Sequence, residues 1–232
     1  MKNETEKHST PFIKVLLSIA VAFAFHFSLF TPVQAQRIHA YLTSGVTLSQ
    51  IEGDELKGFR STGYVGGIGA LASISDNNRW GLTTEALFAR RGAYNNSGDP
   101  YSANIKLDYI DIPVLLHYQD PYGGMLFGLG LCYGRLVQQP HFQGKYNPNY
   151  FVPDTSDYSF SHDDFAVVAD ARFTVWRGLQ LNCRWQYSIL PVKREWAFYQ
   201  YSGVNADGSP RYNKKTNDCY NHSITLRLIW QF

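Results

Sequence analysis

The chain has 232 residues, 44% hydrophobic and 16% aromatic, with 21 Lys and Arg against 19 Asp and Glu. That length suits one domain, and so even a charge balance argues against a nucleic-acid partner, which needs a basic excess to meet phosphate. Cys132, Cys183 and Cys219 are odd in number and far apart, a poor basis for a disulfide framework. Without ligand spacing they and the scattered histidines form no metal motif, and no cofactor is expected.

The N-terminus begins with polar "MKNETEKHSTPFIK", carrying Lys2, Lys7 and Lys14. An apolar run from Val15 to Phe30 follows, then "TPVQAQ", where Val33 and Ala35 are the small residues a signal peptidase reads. A membrane-spanning helix needs about 20 apolar residues; this run is shorter and carries His26 and Ser28. The expectation is a secretory signal peptide over residues 1–35, cleaved after Ala35, and a mature domain over 36–232. A lipoprotein is excluded because no cysteine precedes Cys132.

From Arg37 onward apolar and polar residues alternate with the period of a strand. The predicted strands are "IHAYLTSGVTLS", "GYVGGIGALASIS", "WGLTTEALFA", "LDYIDIPVLLHY", "GMLFGLGLCYG", "FAVVADARFTV", "LQLNCRWQYSI" and "SITLRLIWQF". Between them short links ("DNN", "QDPYG", "RG") strictly alternate with long ones. An eight-stranded antiparallel up-and-down sheet would put short turns at one end and elaborate loops at the other, as in a transmembrane β-barrel. Aromatic residues such as Tyr118, Tyr133, Trp185, Tyr187, Trp230 and Phe232 gather at strand ends, where an amphipathic ring suits a membrane interface. A soluble barrel, with apolar residues inside, is the competing architecture.

With the apolar set facing lipid, Glu85, Asp111, His117, Asp170, Arg172, Arg184 and Arg227 face the lumen. An eight-stranded barrel is only wide enough for side chains to fill, so these charges must pair with one another. A three-residue loop Trp176-Arg177-Gly178, with Gly178 left-handed, would set Val175 opposite Leu179, Asp170 opposite Arg184 and Arg172 opposite Asn182. Asp170 and Arg184 are then expected to form a salt bridge, with Arg172 or Arg227 nearby.

A hydrolase would need a nucleophile, a base and an orienting carboxylate at one spot. His222 and Ser223 are adjacent and face opposite ways, Ser161, His162 and Asp163 are read as loop residues, and the pair His117 and Asp111 has no serine at matching depth. No catalytic residue is assigned. The long segments "HFQGKYNPNYFVPDTSDYSF" and "REWAFYQYSGVNADGSPRYNKK" suit contact with sugars or proteins, the second as a continued hairpin turning near "NADGS". Cys132 is expected on the lumenal face and Cys183 on the lipid face.

The segments "TTEALFARRGA", "LDYIDIPVLLHY", "DFAVVADARF" and "LNCRWQYSIL", with the terminal Phe232, resemble the Bacteroidetes-type outer-membrane β-barrel family, porin-like or PorT-like. Tyr109, Asp111, Ile112 and Pro113 are the most specific element of that resemblance. It implies an eight-stranded barrel in the outer membrane of a Gram-negative cell envelope, with Phe232 resembling the signal read by the barrel-insertion machinery. The expected function is a structural or surface-interaction role through long extracellular loops, with outer-membrane lipid and an extracellular protein or glycan as partners. A lipid- or peptide-processing barrel enzyme and a soluble periplasmic ligand-binding barrel are the alternatives. Pro113 falls on the inner row of the fourth strand, where a closed barrel leaves two outcomes: a bulge or missing ladder bond, or an opening in the wall.

Overall fold

The structure, a computed structural model, describes residues 38–54, 58–94, 101–122, 124–139, 143–146, 151–153 and 159–232. The expected signal peptide and its cleavage site lie outside the described residues, as does most of "HFQGKYNPNYFVPDTSDYSF". In chain order the strands are β1 (Ile38–Glu52), β2 (Ser61–Ser73), β3 (Trp80–Tyr94), β4 (Tyr101–Gln119), β5 (Met125–Gln138), β6 (Gln143–Tyr146), β7 (Phe151–Pro153), β8 (Asp163–Trp176), β9 (Leu179–Ser188), β10 (Lys193–Val204) and β11 (Pro210–Gln231). Neighbours run β1-β2-β3-β4-β5-β8-β9-β11, and β11 pairs back onto β1 from Tyr41↔Gln231 to Glu52↔Tyr220. The result is the closed eight-stranded antiparallel barrel that the alternation predicts. Closure leaves the barrel wall no free edge.

Period-two alternation sets the two faces. On β4, Tyr109, Asp111, Leu115 and His117 are buried, while Ile110, Ile112, Val114 and Leu116 stay 43–47% exposed. The outward row repeats around the wall with Leu129 and Leu131 on β5, Leu181 on β9 and Ile224, Leu226 and Leu228 on β11. Trp80 packs on Tyr118 at 5.0 Å near the short turns, and Tyr133 on Phe165 at 5.2 Å near the long connections. These rings bound an apolar belt on both sides, as membrane interfaces favour.

Beyond the belt, on the long-connection side, the polarity inverts. Arg90 pairs bidentately with Asp108 on the outside, at 2.6 and 2.7 Å, and Arg135 meets Asp163 at 2.6 Å. Inside at this level lies an apolar cluster that includes Ile51, Ile105, Leu107, Leu136, Val192 and Trp196. The barrel is therefore built for lipid over its lower part and, above that, like a water-soluble domain. β10 and β11 continue this upper part as a hairpin, paired from Lys193↔Cys219 to Val204↔Pro210. Its turn lies in the predicted "NADGS": Gly208 is left-handed at φ +83, and Asn205 N–H donates to Ser209 O at 2.8 Å.

Pro113 sits opposite Cys132 on the β5 side. On the β3 side the ladder passes from Thr84↔Val114 to Leu87↔Asp111 without pairing Ile112 or Pro113, and it resumes in the same register. Of the two expected outcomes the structure thus has the missing ladder bond, with neither a bulge nor an opening. One hairpin differs from expectation. Gly178 is left-handed at φ +73, but Leu179 pairs with Trp176, and a bulge between Thr174 and Trp176 leaves Val175 unpaired. The bulge takes up one residue, so Asp170↔Arg184 and Arg172↔Asn182 remain opposite each other.

Candidate functional site

The lumen holds two stacked tiers of charge. In the lower tier the Glu85 carboxylate on β3 accepts hydrogen bonds from Tyr41 Oη (2.6 Å), Arg172 Nη2 (3.2 Å), Arg184 Nη1 (2.8 Å) and Arg227 Nη1 (3.0 Å). Four strands thereby converge on one carboxylate. Asp170 accepts from Arg184 Nη2 at 2.8 Å, with Arg172 and Arg227 at 3.9 and 3.8 Å. Asn182 Oδ1 accepts from Arg227 Nε at 2.8 Å.

His117 bridges this tier to β3. Its Nε2 lies 2.7 Å from Asp170 Oδ1 and its Nδ1 2.8 Å from Thr83 Oγ1. An ionised Asp170 can only accept, so Nε2 carries the proton. His117 does not meet Asp111 on its own strand; its carboxylate partner is Asp170, because β5 brings β8 beside it. Gly128 makes that approach possible, since a Cβ there would collide with both His117 Nε2 and Asp170 Oδ1.

Asp111 belongs to the upper tier. Arg91 donates to Asp111 through Nη2 and to Asp164 Oδ2 through Nη1 at 3.1 Å, and its guanidinium lies 4.7 Å from the centre of the Tyr109 ring. Asn221 Nδ2 donates to Tyr109 Oη (3.1 Å) and Asp164 Oδ2 (3.0 Å). With its amide oxygen turned toward Arg91, Gln186 accepts from both terminal nitrogens at 3.2 Å. Counting guanidiniums and carboxylates alone, three arginines face two carboxylates in the lower tier and one faces two in the upper. Their excesses are opposite and cancel.

All seven sequence-predicted lumenal residues are buried here, and Asp170 and Arg184 are in contact. Of the strand-four motif, Tyr109, Asp111 and Pro113 face inward, whereas Ile112 faces out. Sequence reasoning missed Tyr41, Thr83, Arg91, Asp164 and Asn221. Arg91 and Asp164 carry the parity of the inner rows, one or two residues beyond the predicted strand limits.

At the upper edge of the belt, Tyr187 Oη donates to Glu52 at 2.9 Å, and Trp185 Nε1 donates to His222 Nε2 at 2.7 Å. On the other side of β8, Asp163 accepts from Tyr133 Oη and Arg135 Nη1 at 2.7 and 2.6 Å, bonds that hold its carboxyl below the usual carboxylate range. The cysteines are free; Cys132 and Cys219 are buried and Cys183 is exposed on the outer face. Among the described residues no group of three or more His, Cys, Asp or Glu could hold a metal ion.

No curated protein matches the sequence. Among solved structures, Neisserial surface protein A is similar at TM-score 0.45 and 13% identity, over 83% of this chain and 97% of that one. Ail, the attachment invasion locus protein of Yersinia pestis, solved in complex with the heparin analogue sucrose octasulfate, gives TM-score 0.44 and 12% identity over 84% and 99%. OprG from Pseudomonas aeruginosa gives 0.38 and 14% over 83% and 95%. The model of the outer membrane protein beta-barrel domain matches residues 18–232, and the chain belongs to that family.

Proposed function

We propose that this outer-membrane barrel is a side-chain-filled anchor that presents the β10–β11 hairpin to a protein or glycan outside the cell. The observation that carries the reading is the hairpin's outward face. Tyr201 lies against Tyr212 at 6.1 Å, and Lys214 Nζ lies 6.0 Å from the centre of the Tyr199 ring. Rings on a paired strand offer contact area at low entropic cost, and the lysine adds a charged donor. The turn is braced by Asp207, whose Oδ1 accepts from both Ser209 N–H and Oγ–H at 2.9 and 2.6 Å.

The same reading includes a signal peptide removed after Ala35, insertion machinery that reads the last strand ending in Phe232, and membership of the Bacteroidetes-type, PorT-like branch. It also makes the chain a non-enzyme. Thr83, His117 and Asp170 form the grouping nearest to a catalytic one. A cavity of about 140 Å³ at the short-turn end reaches His117, but Thr83 is fully buried and is not among the residues that line it. A nucleophile that no substrate can touch does not favour a lipid- or peptide-processing enzyme.

Full-length protein in lipid vesicles, applied to arrays of glycans and extracellular-matrix proteins, tests the reading. The expected result is retention on a defined ligand, lost when Tyr199, Tyr201 and Tyr212 are changed to Ser. Equal retention of the variant, or no retention of the parent on any surface, would contradict it.

A further inference from the structure

The barrel wall carries a notch that the surface-interaction reading does not use. The β8–β9 ladder ends at Ala166↔Ser188, followed by one more bond, Ile189 N–H to Phe165 O at 2.7 Å; above that the two sides are next joined by Ser161 N–H to Val192 O at 2.7 Å. Between them lies a cavity of about 470 Å³, within the roughly 300–1,000 Å³ of small-ligand clefts. Phe160, Val192 and Lys193 are its buried lining, and Phe165 and Leu190, 45% and 49% exposed, are its apolar outer lining. Arg194 completes the rim and is exposed, with no ion pair among the described residues.

Two gradients cross at this notch. Below it the outer wall is apolar, through Phe165, Ile189 and Leu190. Asp163 also lines it, but its carboxylate is engaged by Arg135 and Tyr133, and the cations of the lining are Lys193 and Arg194. Lys193 Nζ donates to Ser159 O at 3.0 Å and lies 5.8 Å from the centre of the Trp196 ring, which keeps an ammonium at the floor. A ligand that satisfies both gradients carries negative charge at one end and an apolar body at the other, and it arrives from the membrane side.

We propose that the notch between β8 and β10 is a binding site for the phosphate-bearing headgroup of an outer-leaflet lipid, with Arg194 as its principal contact and Phe165 and Leu190 against the first acyl carbons. A guanidinium suits phosphate because it can donate two parallel hydrogen bonds. A free phosphate would gain nothing from the apolar outer lining, so the lipid is the favoured source.

The test is native mass spectrometry of the full chain released from detergent, with a bisphosphorylated diglucosamine lipid, its dephosphorylated form and inorganic phosphate as separate probes. The bisphosphorylated lipid should be retained, with at least about tenfold weaker retention for Arg194→Glu, as expected for loss of one charge-assisted contact and gain of repulsion. Arg194→Lys, which keeps the charge and loses the paired donors, should bind between the parent and Arg194→Glu, and heat-modifiable gel migration should show all variants folded. Equal retention by Arg194→Glu, equal retention of the dephosphorylated lipid, or displacement of the lipid by millimolar inorganic phosphate would each overturn the proposal.

Discussion

Arg227 on β11 reaches across the lumen to Glu85 on β3, Nη1 to Oε2 at 3.0 Å, although β1 and β2 separate those strands in the wall. A bond of this kind ties opposite sides of the barrel, so its loss should be felt globally. Glu85→Gln leaves Arg172, Arg184 and Arg227 around a neutral amide. Removing one partner from a buried ion network costs about 3–5 kcal/mol. Denaturant unfolding of the vesicle-inserted protein should show a loss of that size, whereas a loss under about 1 kcal/mol would mean that the lower tier does not hold the wall together.

Gly128 faces the contact between His117 and Asp170. Gly128→Ala should separate them and destabilise the barrel by about 1–3 kcal/mol, the usual cost of overpacking. His117→Ala should reduce that penalty by making room for the new methyl group. A double-mutant cycle measures the coupling, and strict additivity would place the clash elsewhere.

Pro113 removes one donor on its β3 side. The backbone amide of Glu85, which faces Pro113 across the seam, is predicted to exchange hydrogen faster than those of Thr83 and Leu87. Pro113→Val restores an N–H at similar volume and should slow that exchange, with a gain of about 0.5–1.5 kcal/mol from one net hydrogen bond. Unchanged exchange would mean that the interruption has another cause.

Cys183 faces outward at the level of the apolar belt, whereas Cys132 and Cys219 are buried. A lipid-soluble maleimide should label the vesicle-inserted protein at Cys183, and a charged, membrane-impermeant one should not. Labelling by the charged reagent would place the belt at a different height on β9.

The wall was legible because a strand against lipid keeps an apolar outer row, as Ile110, Ile112, Val114 and Leu116 do opposite the inner Tyr109, Asp111, Leu115 and His117 in "LDYIDIPVLLHY". The contact between Asp170 and Arg184 followed from one turn and a period of two, even though the bulge at Val175 moved the turn by a residue. What alternation could not show was where strands end. Arg91 and Asp164 lie just past the predicted limits, Ile105 lies just before the predicted start of the fourth strand, and Trp196 fell in a segment read as a hairpin, because above the membrane the inside turns apolar and the pattern changes sign. Nor could spacing along one strand show that His117 would prefer Asp170 to Asp111, since that choice is made by the neighbouring strands.

The central claim is that side chains close the lumen, so that the barrel anchors and presents rather than conducts. Conductance of the purified full chain in a planar lipid bilayer tests it most directly. The account predicts a current indistinguishable from that of the bare membrane across moderate voltages. Stable, ohmic single-channel steps from the unmodified protein would contradict it.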